Sequence, residues 1–305
     1  MNILIVLPDC NYYLWQMLVQ INNFRKLGIE EDAYFLIGVR NTQKSKTLMN
    51  ILRHGKLKSK FFVYKDDRDD LSYSPSMTAN ILKKFFKNNS DLSNVPFLYI
   101  DPDVIFKEKI NFSRLDKNDV WYLSDTKSYL NSKYIKSKGS ELFYEMCRIV
   151  KIDPQIVISN DGNAGGAQCI IKNTTYDFWE KVENDSINLY KHMKKTENKY
   201  TPEAPIQSWT AEMWSLLWNA WLFGHKTKII KRLDFIWATD PIKKWDNANI
   251  YHNAGAVKDD GKLFIKTKYQ KSPFNQNIKC SDKYCSYNYL LEIKETEKNF
   301  KEIIF

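Results

Sequence analysis

The chain has 305 residues, 43% of them hydrophobic, with 46 Lys and Arg against 36 Asp and Glu for a net charge of +10 at pH 7. That is enough for a sizeable core in one large α/β domain, and no run approaches the roughly 18 apolar residues of a membrane helix. A basic surface suits a polyanionic partner such as nucleic acid, but Lys, Asn and Ile are all abundant, as an AT-rich coding sequence imposes, so charge alone names no partner.

The five cysteines, Cys10, Cys147, Cys169, Cys280 and Cys285, are scattered. The one close pair, Cys280 and Cys285, has no second pair to make a zinc knuckle. Free thiols in a reducing compartment are expected, hence a soluble, cytoplasmic protein with no integral membrane association.

Residues 2–7 read as a first core strand ending at Pro8-Asp9, too short and without the basic flank of a leader peptide. Residues 12–26 carry Tyr13, Leu14, Met17, Leu18, Ile21 and Phe24 at helical spacing, with Gly28 as a stop. Residues 33–39 and 61–64 read as strands, 66–70 (Asp-Asp-Arg-Asp-Asp) as a solvated loop, and 76–86 as a helix. Strands alternating with helices imply a parallel, doubly wound sheet, in which ligands bind beyond the carboxyl ends of strands. Asp9 lies at such an end and is expected over the same crevice as the carboxylates that follow.

Residues 96–106 read Pro-Phe-Leu-Tyr-Ile-Asp-Pro-Asp-Val-Ile-Phe. The apolar run is that of a buried strand, with Asp101 and Asp103 at its end and expected to point the same way in extended chain. Two carboxylates held this closely repel unless a cation lies between them, and hard divalent ions take such oxygens while leaving positions for phosphate. The functional reading is a Mg²⁺ or Mn²⁺ site that grips a diphosphate; the plain alternative is a polar turn capping a strand.

A strand over 120–123, a polar Lys-rich stretch to Gly139 and a helix over 141–150 follow. Asp161 then precedes a Gly-rich turn, with Gly165 and Gly166 opening a strand through 170–171, where a ligand can approach backbone closely. Residues 176–193 read as a helix. In 203–223, Trp209, Met213, Trp214, Leu217, Trp218 and Trp221 fall at helical spacing, mostly as core. Glu212 stands out there, although a carboxylate is also simply favourable at a helix N-terminus. Short strands over 229–230, 235–237 and before His252 lead into a Lys-rich tail from residue 262 that is expected to wrap the domain.

Laid out in this way, the chain resembles GT-A-type glycosyltransferases, and in particular the hydroxyproline O-arabinosyltransferases and peptidyl-serine galactosyltransferases. The blocks that carry the resemblance are Tyr12-Tyr13-Leu14-Trp15-Gln16, Asp101-Pro102-Asp103-Val104-Ile105-Phe106, Gly162-Asn163 leading into a strand, and Trp209-Thr210-Ala211-Glu212-Met213-Trp214 ending at Gly224, with His252 after a late strand. The resemblance covers about residues 1–255. It implies a single GT-A-like, Rossmann-like α/β domain with a mixed, mostly parallel central sheet flanked by helices, plus a C-terminal extension over 256–305.

What the resemblance implies for chemistry is a metal-dependent, retaining transfer of a sugar from a UDP-linked or other nucleotide-sugar donor to an acceptor hydroxyl. Asp103, Asp101 and His252 would hold Mn²⁺ or Mg²⁺, with Asp101 also reaching the ribose. Pro8, Asp9, Trp15 and Gln16 would meet base and ribose, and Gly165, Gly166 and Trp209 would line the donor. Glu212 would bind sugar hydroxyls or act as base or nucleophile, with Asp161 in reserve. The acceptor is open between a protein or glycan hydroxyl and a hydroxylated or hydroxymethylated pyrimidine in viral DNA, the latter fitting a virus-encoded enzyme at work in a host cell. The competing class is a non-enzymatic nucleic-acid-binding protein with a structural acidic turn, against which the chain shows no helix-turn-helix, zinc or RNP motif. A nuclease is a third reading, needing more acids close together.

Overall fold

A computed structural model describes residues 1–304 apart from 42, 116–117, 202 and 257–260, so the extension expected over 256–305 is described except at 257–260 and 305. The strands are β1 (Asn2–Pro8), β2 (Ala33–Val39), β3 (Lys60–Lys65), β4 (Phe97–Tyr99), β5 (Val104–Phe106), β6 (Val120–Ser124), β7 (Gly166–Ile171), β8 (Lys226–Ile229), β9 (Phe235–Trp237) and β10 (Ile250–His252). They form a seven-stranded sheet ordered β3-β2-β1-β4-β7-β6-β8 and a three-stranded sheet ordered β5-β10-β9. β1, β2 and β3 run parallel, as do β6 and β8, while β6 and β7 are antiparallel. This is the mixed, mostly parallel, helix-flanked α/β fold that the sequence predicts.

The helices are α1 (Asn11–Lys26), α2 (Lys46–Arg53), α3 (Ser76–Asn88), α4 (Lys127–Leu130), α5 (Ser132–Lys138), α6 (Ser140–Val150), α7 (Pro154–Ser159), α8 (Tyr176–Tyr200), α9 (Ala211–Leu222), α10 (Ser286–Asn299) and α11 (Lys301–Ile304). By their internal contacts the residues fall into two compact units.

The first unit comprises Met1–Lys65, Tyr99–Ser113 and Arg232–Phe305. β2 is buried at every position, the pattern of a central parallel strand. α1 ends where Gly28 takes φ 65°, a left-handed conformation that glycine adopts without strain. Unlike an ordinary amphipathic helix, α1 buries its polar side chains too: Gln16, Gln20, Asn22 and Asn23 are all inside. α10 accounts for part of this, since Asn22 donates to Glu292 Oε1 at 2.6 Å and the Lys26 ammonium to Glu292 Oε2 at 2.9 Å. The tail, expected only as a wrap, therefore contains a helix whose Tyr289, Leu290, Ile293 and Thr296 are buried. α2 is a further helix the sequence reading passed over; Ser45 caps it by accepting the Leu48 N–H at 3.0 Å.

The second unit comprises Asp66–Leu98 and Arg114–Lys231. α8 packs against both α3 and α9, and runs to Tyr200, seven residues beyond the expected 193. The polar stretch after β6 contains α4 and α5, and Asn131 caps the latter by accepting the Tyr134 N–H at 2.8 Å. The acidic run 66–70 is not a solvated loop throughout. Asp66 and Arg68 are buried and paired side by side, Arg68 Nε to Asp66 Oδ1 at 2.8 Å and Nη2 to Oδ2 at 2.9 Å. Arg68 also donates to the carbonyls of Tyr73 and Ser74 and to Ser76 Oγ, which satisfies a buried guanidinium and fixes the entry to α3.

Candidate metal and donor site

The Asp-Pro-Asp segment is a tight turn between two sheets, not the end of one extended strand. β4 stops at Tyr99, the Ile100 N–H still donates to the Leu4 carbonyl at 3.1 Å, and the Val104 N–H turns back to the Asp101 carbonyl at 3.3 Å. β5 then starts in the smaller sheet, antiparallel to β10 with Val104 opposite His252. The turn is held from beneath by α1. Gln20 Nε2 donates to the carbonyls of Asp101 (3.0 Å) and Val104 (2.9 Å), and Asn23 exchanges two hydrogen bonds with the Phe106 backbone, at 2.9 and 2.8 Å. Buried amides that bond backbone in this way leave the two carboxylates to be aimed elsewhere.

They are aimed at His252. Its Nε2 lies 3.3 Å from Asp101 Oδ2 and 3.3 Å from Asp103 Oδ1. One ligand atom from each of the three residues falls within 4.8 Å of the others, and among the described residues this is the one such group of His, Cys, Asp and Glu. An ion ~2.1 Å from each ligand sets adjacent ligand atoms ~3 Å apart and opposite ones ~4.2 Å apart. The three residues therefore fit a hard divalent cation, and the mixture of carboxylate and imidazole suits Mn²⁺ as well as Mg²⁺.

The three are not equivalent. The Asp101 side chain is 49% exposed, whereas that of Asp103 is 4% exposed. Burial opposes the charge on Asp103, yet Lys266 and His252 outweigh it and hold the carboxyl below the usual range. Asp101 is pushed up instead: although half of its side chain reaches solvent, its carboxyl is drawn in among His252, Asp103 and Lys266, and that desolvation, with the Asp103 charge, outweighs the pull of His252. Burial works against a charged His252, but Asp103 and then Asp101 raise its pKa above the ordinary value. Lys266, whose ammonium bonds Asp103 Oδ2, is likewise raised by that carboxylate against the effect of burial. Lys266, joined by His252 when that ring is protonated, sets positive charge beside two carboxylates that would otherwise repel each other.

Of the other sequence candidates in the same unit, Pro8 closes β1 and Asp9 is engaged with Ser45, accepting its N–H at 2.7 Å and its hydroxyl at 2.5 Å. Trp15 and Gln16 are buried, at 2% and 1% exposure. The Trp15 indole N–H donates to the Tyr269 carbonyl at 2.9 Å and its ring meets Phe264 edge-on, while Gln16 Nε2 donates to the Tyr12 carbonyl at 2.5 Å. Sequence reasoning missed Lys266, Gln20, Asn23 and Trp237, which stacks on His252. Lys266 looks like any other lysine of a Lys-rich tail; only the preceding Leu263-Phe264-Ile265 hints that its surroundings are buried.

The remaining candidates lie in the second unit. Asp161 is bound to Ser132, accepting its N–H at 2.8 Å and its hydroxyl at 2.5 Å. Gly165 and Gly166 are required by packing: a Cβ on Gly165 would lie 2.5 Å from the Ser124 carbonyl oxygen, and one on Gly166 2.8 Å from Met213 Cε. Met213 follows Glu212, so the Gly-Gly turn abuts the first turn of α9. Buried Tyr73 fixes that turn by accepting the Glu212 N–H at 2.9 Å and donating to the Trp209 carbonyl at 2.6 Å. The Trp209 ring is left 61% exposed.

No protein-family model matches the chain, and no curated protein matches it. Solved structures do. The bifunctional glycosyltransferase WbbM is 9% identical over 99% of this chain, with a TM-score of 0.50, and this chain spans 51% of its length. The galactosyltransferase LgtC, in complex with donor and acceptor sugar analogs, is 11% identical over 97% of this chain and 96% of its own, at a TM-score of 0.48. GlyE of Streptococcus pneumoniae TIGR4 is 11% identical over 100% of this chain and 64% of its own, also at 0.48. At such identities the likeness is one of fold alone.

Proposed function

We propose that the chain is a divalent-metal-dependent glycosyltransferase that moves a sugar from a nucleoside-diphosphate sugar, UDP-linked in our reading, to an acceptor hydroxyl. The observation that carries this is the convergence of Asp101, Asp103 and His252, from a turn and a strand far apart in sequence, on a space the size of one cation. Bound there, Mn²⁺ or Mg²⁺ supplies Lewis-acid neutralisation of charge developing on the leaving diphosphate. Buried Asp103 and His252 anchor the site, and half-exposed Asp101 reaches the ion or the ribose. Pro8 and Asp9 form the base and ribose side, while Trp15 and Gln16, being buried, support that side from within α1. Gly165, Gly166 and Trp209 line the donor in this reading. Glu212 is our catalytic carboxylate ahead of Asp161, whose oxygens already serve Ser132.

The motif blocks resemble those of the hydroxyproline O-arabinosyltransferases and peptidyl-serine galactosyltransferases, and in our reading the anomeric outcome is retention. We take the setting of the chain to be cytoplasmic, a reducing compartment that suits five scattered cysteines. The acceptor, as we read it, is either a hydroxylated or hydroxymethylated pyrimidine in DNA, which a chain of net charge +10 suits, or a protein or glycan hydroxyl. Duplex binding that weakens steeply with salt separates these acceptors.

The test of the reaction is release of nucleoside diphosphate from a panel of nucleotide sugars, followed by chromatography with and without Mn²⁺. One donor should be turned over slowly even without acceptor, and Asp103→Asn should abolish this. A folded protein that cleaves no donor and binds none contradicts the proposal.

A further inference from the structure

Within the first unit, α1, α2, the segment 271–274 and α11 border a cavity of about 260 Å³. None of the three metal-ligand residues lines it, nor do Pro8, Asp9 or Gln16. Trp15, Leu18, Phe274 and Ile303 give it an apolar floor and are all buried. Lys46 and Lys271 stand at its exposed rim, and the remaining lining residues carry hydroxyl or amide groups. No carboxylate lines it, and among the described residues neither ammonium pairs with one. Asp9, the acid nearest Lys46 in sequence, accepts from Ser45 instead.

Contacts made outside the cavity hold its walls. The Trp15 indole N–H donates to the Tyr269 carbonyl at 2.9 Å, and the Asn275 N–H donates to Glu297 Oε2 on α10 at 3.0 Å. Beside α11 the Arg25 guanidinium lies 4.9 Å from the Phe300 ring centre, and Glu302 faces both His54 and Lys56 at 3.4 Å. Walls fixed in this way do not collapse inward, so the cavity is a preformed recess, the usual shape of a small-molecule site.

The lining decides what such a recess takes. An indole and a phenyl ring in the floor suit a flat ring, and two ammonium groups with no opposing carboxylate suit an anion. At about 260 Å³ it is slightly smaller than the usual ~300–1,000 Å³ of ligand sites, with room for one ring and its head group. We propose that this recess binds a small organic anion, a single ring bearing a phosphate or a carboxylate, with the ring on the Trp15 and Phe274 floor and the head group at Lys46 and Lys271. The site stands apart from the metal-and-diphosphate reading. It uses a different face of α1, since Gln20 and Asn23 are the residues that hold the metal-ligand turn and β5.

The test uses four probes without added metal: phenyl phosphate, benzoate, inorganic phosphate and benzyl alcohol. Each is titrated into ¹⁵N-labelled protein, and the local reporter is the Trp15 indole N–H signal, assigned by its loss in Trp15→Phe. Phenyl phosphate or benzoate should shift that signal saturably, with a Kd on the order of a millimolar or tighter for ligands of this size. The tighter of the two names the head group. Inorganic phosphate and benzyl alcohol, each lacking half of the ligand, should bind about tenfold more weakly or not at all. Lys46→Glu and Lys271→Glu, at exposed positions where the melting temperature should not change, should each weaken the ring anion about tenfold, as loss of a charge-assisted hydrogen bond does. Benzyl alcohol that binds equally well would make the recess an apolar void, and inorganic phosphate that does so would leave the lysines acting alone; either overturns the proposal. So does a Trp15 signal that no probe moves, or binding that survives both lysine substitutions.

Discussion

Trp237 lies flat against His252. The two are register partners on parallel strands β9 and β10, with ring centroids 6.0 Å apart and planes 12° from parallel. Phe235 flanks the same imidazole at 5.7 Å. With Phe235 and Trp237 side by side, 4.7 Å apart, the imidazole packs against both rings and does not turn freely, so its Nε2 stays directed at both carboxylates. Groups that orient a metal ligand commonly contribute 10–100-fold to affinity. Trp237→Leu, measured by Mn²⁺ titration, should lower affinity by about tenfold with the fold intact; unchanged affinity would remove the positioning role of the stack.

The unequal burial of the two aspartates separates binding from stability. Asp101→Asn, at a half-exposed position, should abolish Mn²⁺ binding while changing unfolding free energy by less than ~0.5 kcal/mol, as exposed substitutions do. Asp103→Asn should abolish binding too and also destabilise the protein by about 1–3 kcal/mol, because it strips the partner from Lys266. That figure is below the usual cost of breaking a buried pair since Lys266 is 24% exposed. Denaturant unfolding of both variants checks the contrast; equal stability loss would mean that Lys266 does not depend on Asp103.

The parts of this fold that could be read from the chain were those with a regular period. β2 was expected over 33–39 and spans Ala33–Val39, because seven residues buried on both faces admit no other pattern. Asp101 and Asp103 stood out as candidate ligands from residue type and the expected strand end, and His252 only through the family resemblance, although the turn at Pro102 was expected as extended chain. What stayed hidden depends on partners distant in sequence. Gln20 and Asn23 look like polar residues on a helix until β5 supplies backbone for them to hold, 84 and 83 residues on respectively. α10 looks like a charged tail until α1 offers Asn22 and Lys26 to Glu292. Lys266 is one lysine among many until its distance to Asp103 is known.

The Gly165-Gly166 turn yields a graded prediction. A Cβ at Gly165 meets backbone and a Cβ, the Ser124 carbonyl oxygen at 2.5 Å and Leu123 Cβ at 2.7 Å, neither of which can yield without moving β6. At Gly166 the nearest atoms are the flexible ends of Met213 and Leu130, at 2.8 and 3.1 Å. Gly165→Ala should therefore cost about 3 kcal/mol, at the upper end for overpacking, and Gly166→Ala about 1 kcal/mol. Thermal unfolding of the two alanine variants measures the difference, and the reverse order would refute it.

His225 provides a pH test away from the metal site. It stacks on Trp121 with centroids 4.7 Å apart, and burial lowers its pKa despite the opposing pull of Asp119. A depressed folded pKa means that the unfolded chain takes up the proton first. The stabilising contribution is therefore full above the unfolded value of about 6.5 and is lost as pH falls toward the folded one. Melting curves from about pH 7.5 to 5.5 should show wild type losing more stability than His225→Phe, which keeps the ring packing without the titration. Parallel curves would contradict the assignment.

The central claim, a cation on Asp101, Asp103 and His252 that receives a nucleoside diphosphate, is tested most directly by thermal shift. Wild type and Asp103→Asn would be melted with a panel of nucleoside diphosphates and nucleotide sugars, each with and without Mn²⁺. At a hundred times its dissociation constant a ligand adds about 2.7 kcal/mol of stability. The account predicts that nucleotides of one base raise the melting temperature of wild type only when Mn²⁺ is present, and do not raise that of Asp103→Asn. Stabilisation that ignores Mn²⁺ or survives Asp103→Asn, or no stabilisation of folded wild type by any nucleotide, would contradict it.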